Sequence, residues 1–199
     1  HDPSEAWGRL RLTTTRSGSG NPVAARVSVR DGDGHPVFAA GRVPRFDGQT
    51  GRVFFCSDGV VEVEVPSGVA TVQVARGLSH LLVERSIEVT PGATSVLDVE
   101  LEPVWSPAAA GWLSGDQHFH LNYGGPYRLT PSDLGHVLAG EDLDVSTQLV
   151  ANLHERFGEQ GWFGWACGGE TPIVRFGQEV RSHFLGHIGL IGTDELFWP

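Results

Sequence analysis

Val61-Glu62-Val63-Glu64-Val65-Pro66-Ser67-Gly68-Val69-Ala70-Thr71-Val72-Gln73-Val74 decides how the first half of the chain is read. Apolar and polar residues alternate with period two on both sides of Pro66-Ser67-Gly68. Such alternation turns one side of each strand into a core and the other into water. The same pattern recurs in Arg26-Val27-Ser28-Val29-Arg30 and in Val96-Leu97-Asp98-Val99-Glu100-Leu101. Asp31-Gly32-Asp33-Gly34, Asp58-Gly59 and Pro91-Gly92 supply turn chemistry between these runs. No helical periodicity of useful length interrupts 23–102. Several short strands at this spacing predict an antiparallel β-sandwich over residues 9–102. The Asp31–Gly34 stretch is a tight turn rather than a calcium loop. An EF-hand needs Glu at its twelfth position, and the twelfth residue from Asp31 is Arg42.

Composition narrows the function classes. A chain of 199 residues fits one large domain or two small ones. With 40% hydrophobic and 19% charged residues it reads as folded rather than disordered. A formal net charge of −10 with no basic run opposes nucleic-acid binding, which relies on clustered Lys and Arg. No apolar stretch reaches membrane-spanning length, so no membrane insertion is expected. The chain starts at His1 and contains no methionine, which predicts either a processed N-terminus, signal-peptide removal then making the protein secreted or periplasmic, or a chain cut from a longer one. Cys56 and Cys167 fall in different candidate domains and are read as two buried thiols rather than a disulfide.

Residues 1–102 form the sandwich domain in this reading, and 103–110, with Pro103, Pro107 and an alanine run, form a linker. From residue 111 to 199 the character changes to clustered Trp, His and Gly. Gly111-Trp112-Leu113-Ser114-Gly115-Asp116-Gln117-His118-Phe119-His120 is the best-marked element. On a strand, His118 and His120 point to one face, where two imidazoles can chelate one metal ion. Asp116 is expected on that face too, as a ligand or as a carboxylate orienting a histidine. A lone His-x-His is a weak signal. Further along, Glu179 precedes a short buried strand expected to start at His187. A carboxylate and another imidazole would complete a mixed N/O set for zinc, manganese or iron. The bland alternatives are an exposed Glu179 and a packed His187. His183 sits in an expected loop and is a secondary candidate. His136 reads as a surface residue of a helical segment. Trp162, Phe163 and Trp165 are read as core before pocket. No Gly-x-Ser-x-Gly elbow exists and neither cysteine has a His-paired motif, so serine or cysteine nucleophilic catalysis is disfavoured.

Two resemblances emerge from these motifs. Residues 23–102 resemble a carboxypeptidase-regulatory-like sandwich of the transthyretin or immunoglobulin kind. They carry Val27-Ser28-Val29, the Asp31–Gly34 turn, Val63-Glu64-Val65-Pro66-Ser67-Gly68 and Ile87-Glu88-Val89-Thr90-Pro91-Gly92 in that order. Residues 111–199 resemble the PHP (polymerase and histidinol phosphatase) superfamily, and within it the CehA/McbA-type metallohydrolases. The marks are the Gly111–His120 element with Asn122-Tyr123-Gly124-Gly125, Ala139-Gly140-Glu141-Asp142-Leu143-Asp144-Val145, and Gly177-Gln178-Glu179 followed by Gly186-His187-Ile188.

The second resemblance implies the N-terminal part of an α/β PHP-type barrel and a hydrolase using metal-activated water on an ester, carbamate or phosphoester of small size. It implies His118 and His120 as ligands of a first ion, Glu179 as a bridging carboxylate and His187 as a further ligand, with two or more divalent ions. Asp116 and Glu179 are then the candidate catalytic carboxylates. Two departures stand out. Where many PHP proteins carry Thr-Asp-His, this chain has Ala151-Asn152-Leu153-His154, leaving Asn152 or His154 as stand-ins. The stretch to Pro199 is also too short to close a barrel, so a C-terminal continuation or a second polypeptide is expected to complete it. The competing class is a non-catalytic module that binds metal or a partner through the sandwich.

Overall fold

A computed structural model describes residues 6–122, 129–151, 154–165, 172–182, 184 and 186–197. Of 154–157 it describes the backbone alone. The chain divides into two compact units, 1–110 with 139–142, and 111–138 with 143–199.

Among the described residues the first unit is a β-sandwich of nine strands: β1 (Trp7–Arg16), β2 (Ala25–Arg30), β3 (Pro36–Val37), β4 (Arg45–Asp47), β5 (Arg52–Ser57), β6 (Val60–Pro66), β7 (Gly68–Ala75), β8 (Val83–Val89) and β9 (Thr94–Leu101). One sheet has the order β6-β1-β9, the other β4-β5-β2-β7-β8 with β3 on β2. Alternation works as expected: Val61, Val63 and Val65 are buried while Glu62 and Glu64 face water. Leu10 and Leu12 of β1, Val27 and Val29 of β2, and Val72 and Val74 of β7 fill the space between the sheets. The Asp31 turn is confirmed, its carboxylate accepting the N–H groups of Asp33 and His35 at 3.0 and 2.9 Å.

The sandwich is mixed, not purely antiparallel. β1 pairs antiparallel with β6 but parallel with β9, Leu12 lying beside Val61 on one side and Leu97 on the other. Alternation specifies which face of a strand is buried, and says nothing about the direction of its neighbour. The reason is visible at the turns. Asp58-Gly59, Pro66-Ser67-Gly68 and Pro91-Gly92 do not close hairpins. Each carries the chain from one sheet to the other, since β5, β7 and β8 belong to one sheet and β6 and β9 to its partner. Gly68 makes its corner at φ +125°, a region that side-chain-bearing residues rarely enter. Cys56 is a buried thiol that desolvation pushes up to a pKa of about 11. Cys167 lies outside the described residues.

The second unit is α/β. β10 (Gly115–Phe119), β11 (Val145–Ala151), β12 (Ile173–Ser182) and β13 (Gly186–Leu190) lie in that order. The first three run parallel and β13 returns antiparallel on β12. Helix α1 (Pro131–Gly140) connects β10 to β11. Thr130 starts it: the Asp133 carboxylate accepts both the Thr130 N–H and its hydroxyl at 2.7 Å, and Pro131 occupies the first turn, where no N–H is needed. Leu134 and Leu138 of α1 are fully buried. A 3-10 segment, His154–Trp162, lies between β11 and β12. The described strands form an open sheet. The strand at His187 is not buried as the sequence predicts: it is an edge, with Ile188 57% exposed. Its apolar residues therefore lack the second layer that a buried strand would have. No described helix is long and apolar enough to cross a membrane.

Candidate metal centre

Glu179 is the centre of the site. It sits on β12 between Ala151 of β11 and Gly189 of β13, and its side chain is fully buried. Alternation puts it on the same face as Leu149 and Gly177, which are themselves paired. A Cβ at Gly177 would meet the Leu190 carbonyl oxygen at 2.5 Å and the side chains of Leu149 and Thr147 at 3.1 Å. Glycine is therefore required in the floor beneath the carboxylate.

Three histidines approach that carboxylate. His120 Nε2 lies 2.9 Å from Oε2, His187 Nδ1 2.9 Å from Oε1 and His118 Nε2 3.5 Å from Oε1. The two rings of His118 and His120 meet edge to face at 5.2 Å. One ligand atom from each of His118, His120 and Glu179 falls within 4.8 Å of the others. His187 touches the carboxylate from β13 but is outside that group of three. His120 is the inner histidine and His118 and His187 are the exposed ones, with side chains 9%, 58% and 51% accessible.

Asp116 does not join them. The β10–β11 register shifts between Asp116, beside Ser146, and Phe119, beside Gln148. Three steps on β10 thus match two on β11, and such a bulge breaks the alternation. It takes Asp116 out of phase with His118 and His120. Its carboxylate instead turns back to accept the His118 N–H at 2.9 Å. Gln117 faces the site side, where its side-chain carbonyl accepts the Thr147 hydroxyl at 2.7 Å.

The histidine tautomer follows from a neighbour. His120 Nδ1 lies 2.9 Å from the Leu149 carbonyl oxygen, an obligate acceptor. Nδ1 must carry a proton there, which makes Nε2 the ring nitrogen that faces the carboxylate and the one open to a metal ion. This is the usual way a metal-ligating imidazole is held. Glu179 Oε1 is buried and receives no well-directed hydrogen bond, although His187 and His118 stand close to it. Proximity without aligned donors is what ligand atoms directed at a common ion display, so these residues fit a divalent metal.

Arg181, two residues on from Glu179, donates its Nε–H to Oε2 at 2.7 Å. Burial alone would raise the Glu179 pKa, but the Arg181 hydrogen bond and the charges of His120, Arg181 and His118 outweigh it and hold the carboxyl below its ordinary value. Sequence reading assigned Arg181 no role. Its signal was the i, i+2 spacing that puts it on the face of Glu179. Glu159 was also missed: it is buried, and its Oε1 accepts the Asn122 backbone N–H and side-chain amide at 3.2 and 3.1 Å. Asn122 also pairs with both main-chain groups of Leu129 at 2.7 and 3.0 Å, bracketing the Tyr123-Gly124-Gly125-Pro126 stretch, which lies outside the described residues.

Asn152 and His183 likewise lie outside the described residues, and the side chain of His154 is not described. His136 is exposed on α1. Trp165, half-buried, packs edge to face on Phe176 at 6.0 Å, and Phe176 projects to the side of β12 opposite Glu179, so Trp165 lies away from the carboxylate.

No family model matches the chain, and no curated protein matches it. Among solved structures it is similar to a minor pilin of Streptococcus agalactiae (15% identity, TM-score 0.39), the TIE protein of Bacillus anthracis (19%, 0.35) and a pilus-presented adhesin (12%, 0.34). These likenesses take in 51%, 50% and 51% of this chain and 47%, 17% and 28% of the respective neighbours. The chain thus spans less than half the length of each.

Proposed function

We propose that this chain is the N-terminal portion of a metal-dependent hydrolase of the PHP superfamily, CehA/McbA-like, preceded by a β-sandwich. The observation that carries the reading is the buried Glu179 carboxylate, with an undonated Oε1 and three imidazoles within 3.5 Å of its oxygens. A surface cluster of histidines has no reason to enclose a buried carboxylate, whose desolvation is costly unless it is paired.

A zinc, manganese or iron ion held by His118, His120 and Glu179 supplies an acidified water and a Lewis-acidic contact for an ester, carbamate or phosphoester. The chain's own residues prepare for this. The Leu149 carbonyl holds the His120 Nδ1 proton and so directs Nε2 to the centre, and Arg181 fixes the rotation of Glu179. The exposed His118 and His187 form the solvent side, from which a small substrate reaches the centre. His187, carried over as a further ligand, stands against Oε1 from β13.

The exposed β13 edge, with Ile188 and Ile191 57% and 55% accessible, supports the expectation that further polypeptide pairs there to extend the sheet.

The test is metal content by mass spectrometry, together with turnover of p-nitrophenyl acetate and p-nitrophenyl phosphate, in wild type and His118→Ala. The reading expects metal uptake that the variant loses, and turnover that is low in this chain alone and rises when further polypeptide completes the domain. Bound metal without turnover on any ester even with that polypeptide present would favour a non-catalytic metal-binding module. A folded protein that takes up no divalent ion would end the metal reading.

A further inference from the structure

The two oxygens of Glu179 are not equivalent. Oε2 accepts the Arg181 Nε–H at 2.7 Å, whereas Oε1 is buried and accepts no well-directed hydrogen bond. Arg181 is itself sheltered, its side chain 12% accessible. Its position is set by the backbone. Residues two apart on a strand share a face, and β12 is held in register by β11 on one side and β13 on the other.

A carboxylate that bridges two ions offers one oxygen to each. Here one of them already faces a permanent cation, since arginine does not deprotonate in proteins. A dication on Oε2 would lie beside that guanidinium, and like charges this close and this sheltered repel strongly. The donor geometry agrees. Among the described residues, the single group of three ligand atoms is that of His118, His120 and Glu179. Two of the three imidazoles, His118 and His187, stand against Oε1, and only His120 shares Oε2 with Arg181.

We propose that Arg181 occupies the second-cation position at Glu179, so that this carboxylate holds one divalent ion, through Oε1, and does not bridge a pair. The proposal rests on the metal-centre reading above. It departs from the bridging role that the PHP resemblance implies. Arg181 acts as a positioning residue: it fixes the carboxylate and supplies a fixed positive charge where a second ion would sit.

Manganese is the probe. Metal-stripped protein is reloaded with Mn(II), and its content per chain and its electron paramagnetic resonance spectrum are measured. One ion per chain with an uncoupled six-line spectrum is expected for wild type. Arg181→Lys, which keeps the charge, is expected to stay at one. Arg181→Gln is expected to admit a second ion and show a spin-coupled spectrum. A coupled pair in wild type overturns the proposal while leaving the metal centre standing. A folded Arg181→Gln that remains at one uncoupled ion overturns the role given to the guanidinium. No manganese in folded wild type overturns the metal reading, and this inference with it. Because the wild-type spectrum decides by itself, a variant that fails to fold does not leave the question open.

Discussion

Gln178 and Glu179 are adjacent on β12 and serve opposite faces of its sheet. Glu179 holds Arg181 and the histidines. Gln178, fully buried, clasps the main chain of Phe197 through both ends of its amide: Oε1 accepts the Phe197 N–H at 2.7 Å and Nε2 donates to the Phe197 carbonyl. One dipeptide thus anchors the histidine–carboxylate cluster and a returning segment of chain.

Gln178→Leu should release that segment without disturbing the centre. Leaving the Phe197 backbone groups unpaired costs about 1–3 kcal/mol. Amide hydrogen exchange over 193–197 should accelerate by at least about tenfold, while metal content stays at the wild-type level. Loss of metal in a folded variant would show that the two faces are not independent.

Glu179 makes metal-free stability depend on acid. Burial pushes its carboxyl up, but the Arg181 hydrogen bond and the nearby positive groups win, so the folded pKa lies below the ordinary 4.5. A carboxyl depressed by folding contributes stability that is complete above its unfolded pKa and is lost as pH falls through the folded value. Melting temperatures of the stripped protein should therefore drop below about pH 4.5. Glu179→Gln should flatten that drop in the second unit and abolish metal uptake at neutral pH.

Gly177→Ala should damage the sheet rather than any ligand. The added methyl would lie 2.5 Å from the Leu190 carbonyl oxygen, a backbone atom that cannot move without disturbing the β12–β13 pairing. Overpacking of this kind costs about 1–3 kcal/mol. Reduced thermal stability and weaker metal binding should appear together, with all four candidate ligands intact. An unchanged melting temperature would contradict the packing described.

His80 gives the sandwich unit a different pH dependence. Its side chain is 3% accessible, with Nδ1 3.1 Å from the Arg76 carbonyl oxygen and 3.5 Å from Asp142 Oδ2. Burial lowers its pKa below 6.5 more than Asp142 raises it, and Arg76 adds to the lowering. The unfolded chain then binds a proton that the folded chain refuses. Stability is complete above pH 6.5 and declines as pH falls through the lower folded value. Chemical denaturation from about pH 8 to about pH 5 should show that decline, and His80→Gln should remove it.

Much of the sandwich was legible because its inner strands have one wet face. β6 and β7 alternate cleanly, and each valine that alternation assigns to the interior is buried in at least part of the run. β8 was harder to read: it is an edge with Glu84, Arg85, Ser86 and Glu88 exposed and only Val89 fully inside. β5 carries Phe54, Phe55 and Cys56 in succession, which masks its period. In the second unit His118, His120, Glu179 and His187 were named from sequence and meet in space. Asp116 was assigned to the same face because counting by two assumes an unbroken ladder, and a bulge leaves no mark in residue types. Arg181 was given no role because an arginine within a motif shows no function until its partner's burial is known.

The parallel pairing of β1 with β9 has a kinetic meaning. β1 lies between β6 and β9, so the first described strand of this unit is the middle strand of its sheet, and both of its partners come much later. Leu12 waits for Val61 and then for Leu97. Loops that long must close before any reward is collected, which slows folding relative to local hairpins. Until then β1 is a strand with an uncovered apolar face, Leu10 and Leu12, and both edges open. The sandwich is thus most vulnerable to mispairing while it is being made, and its first strand is the segment a chaperone has most reason to hold.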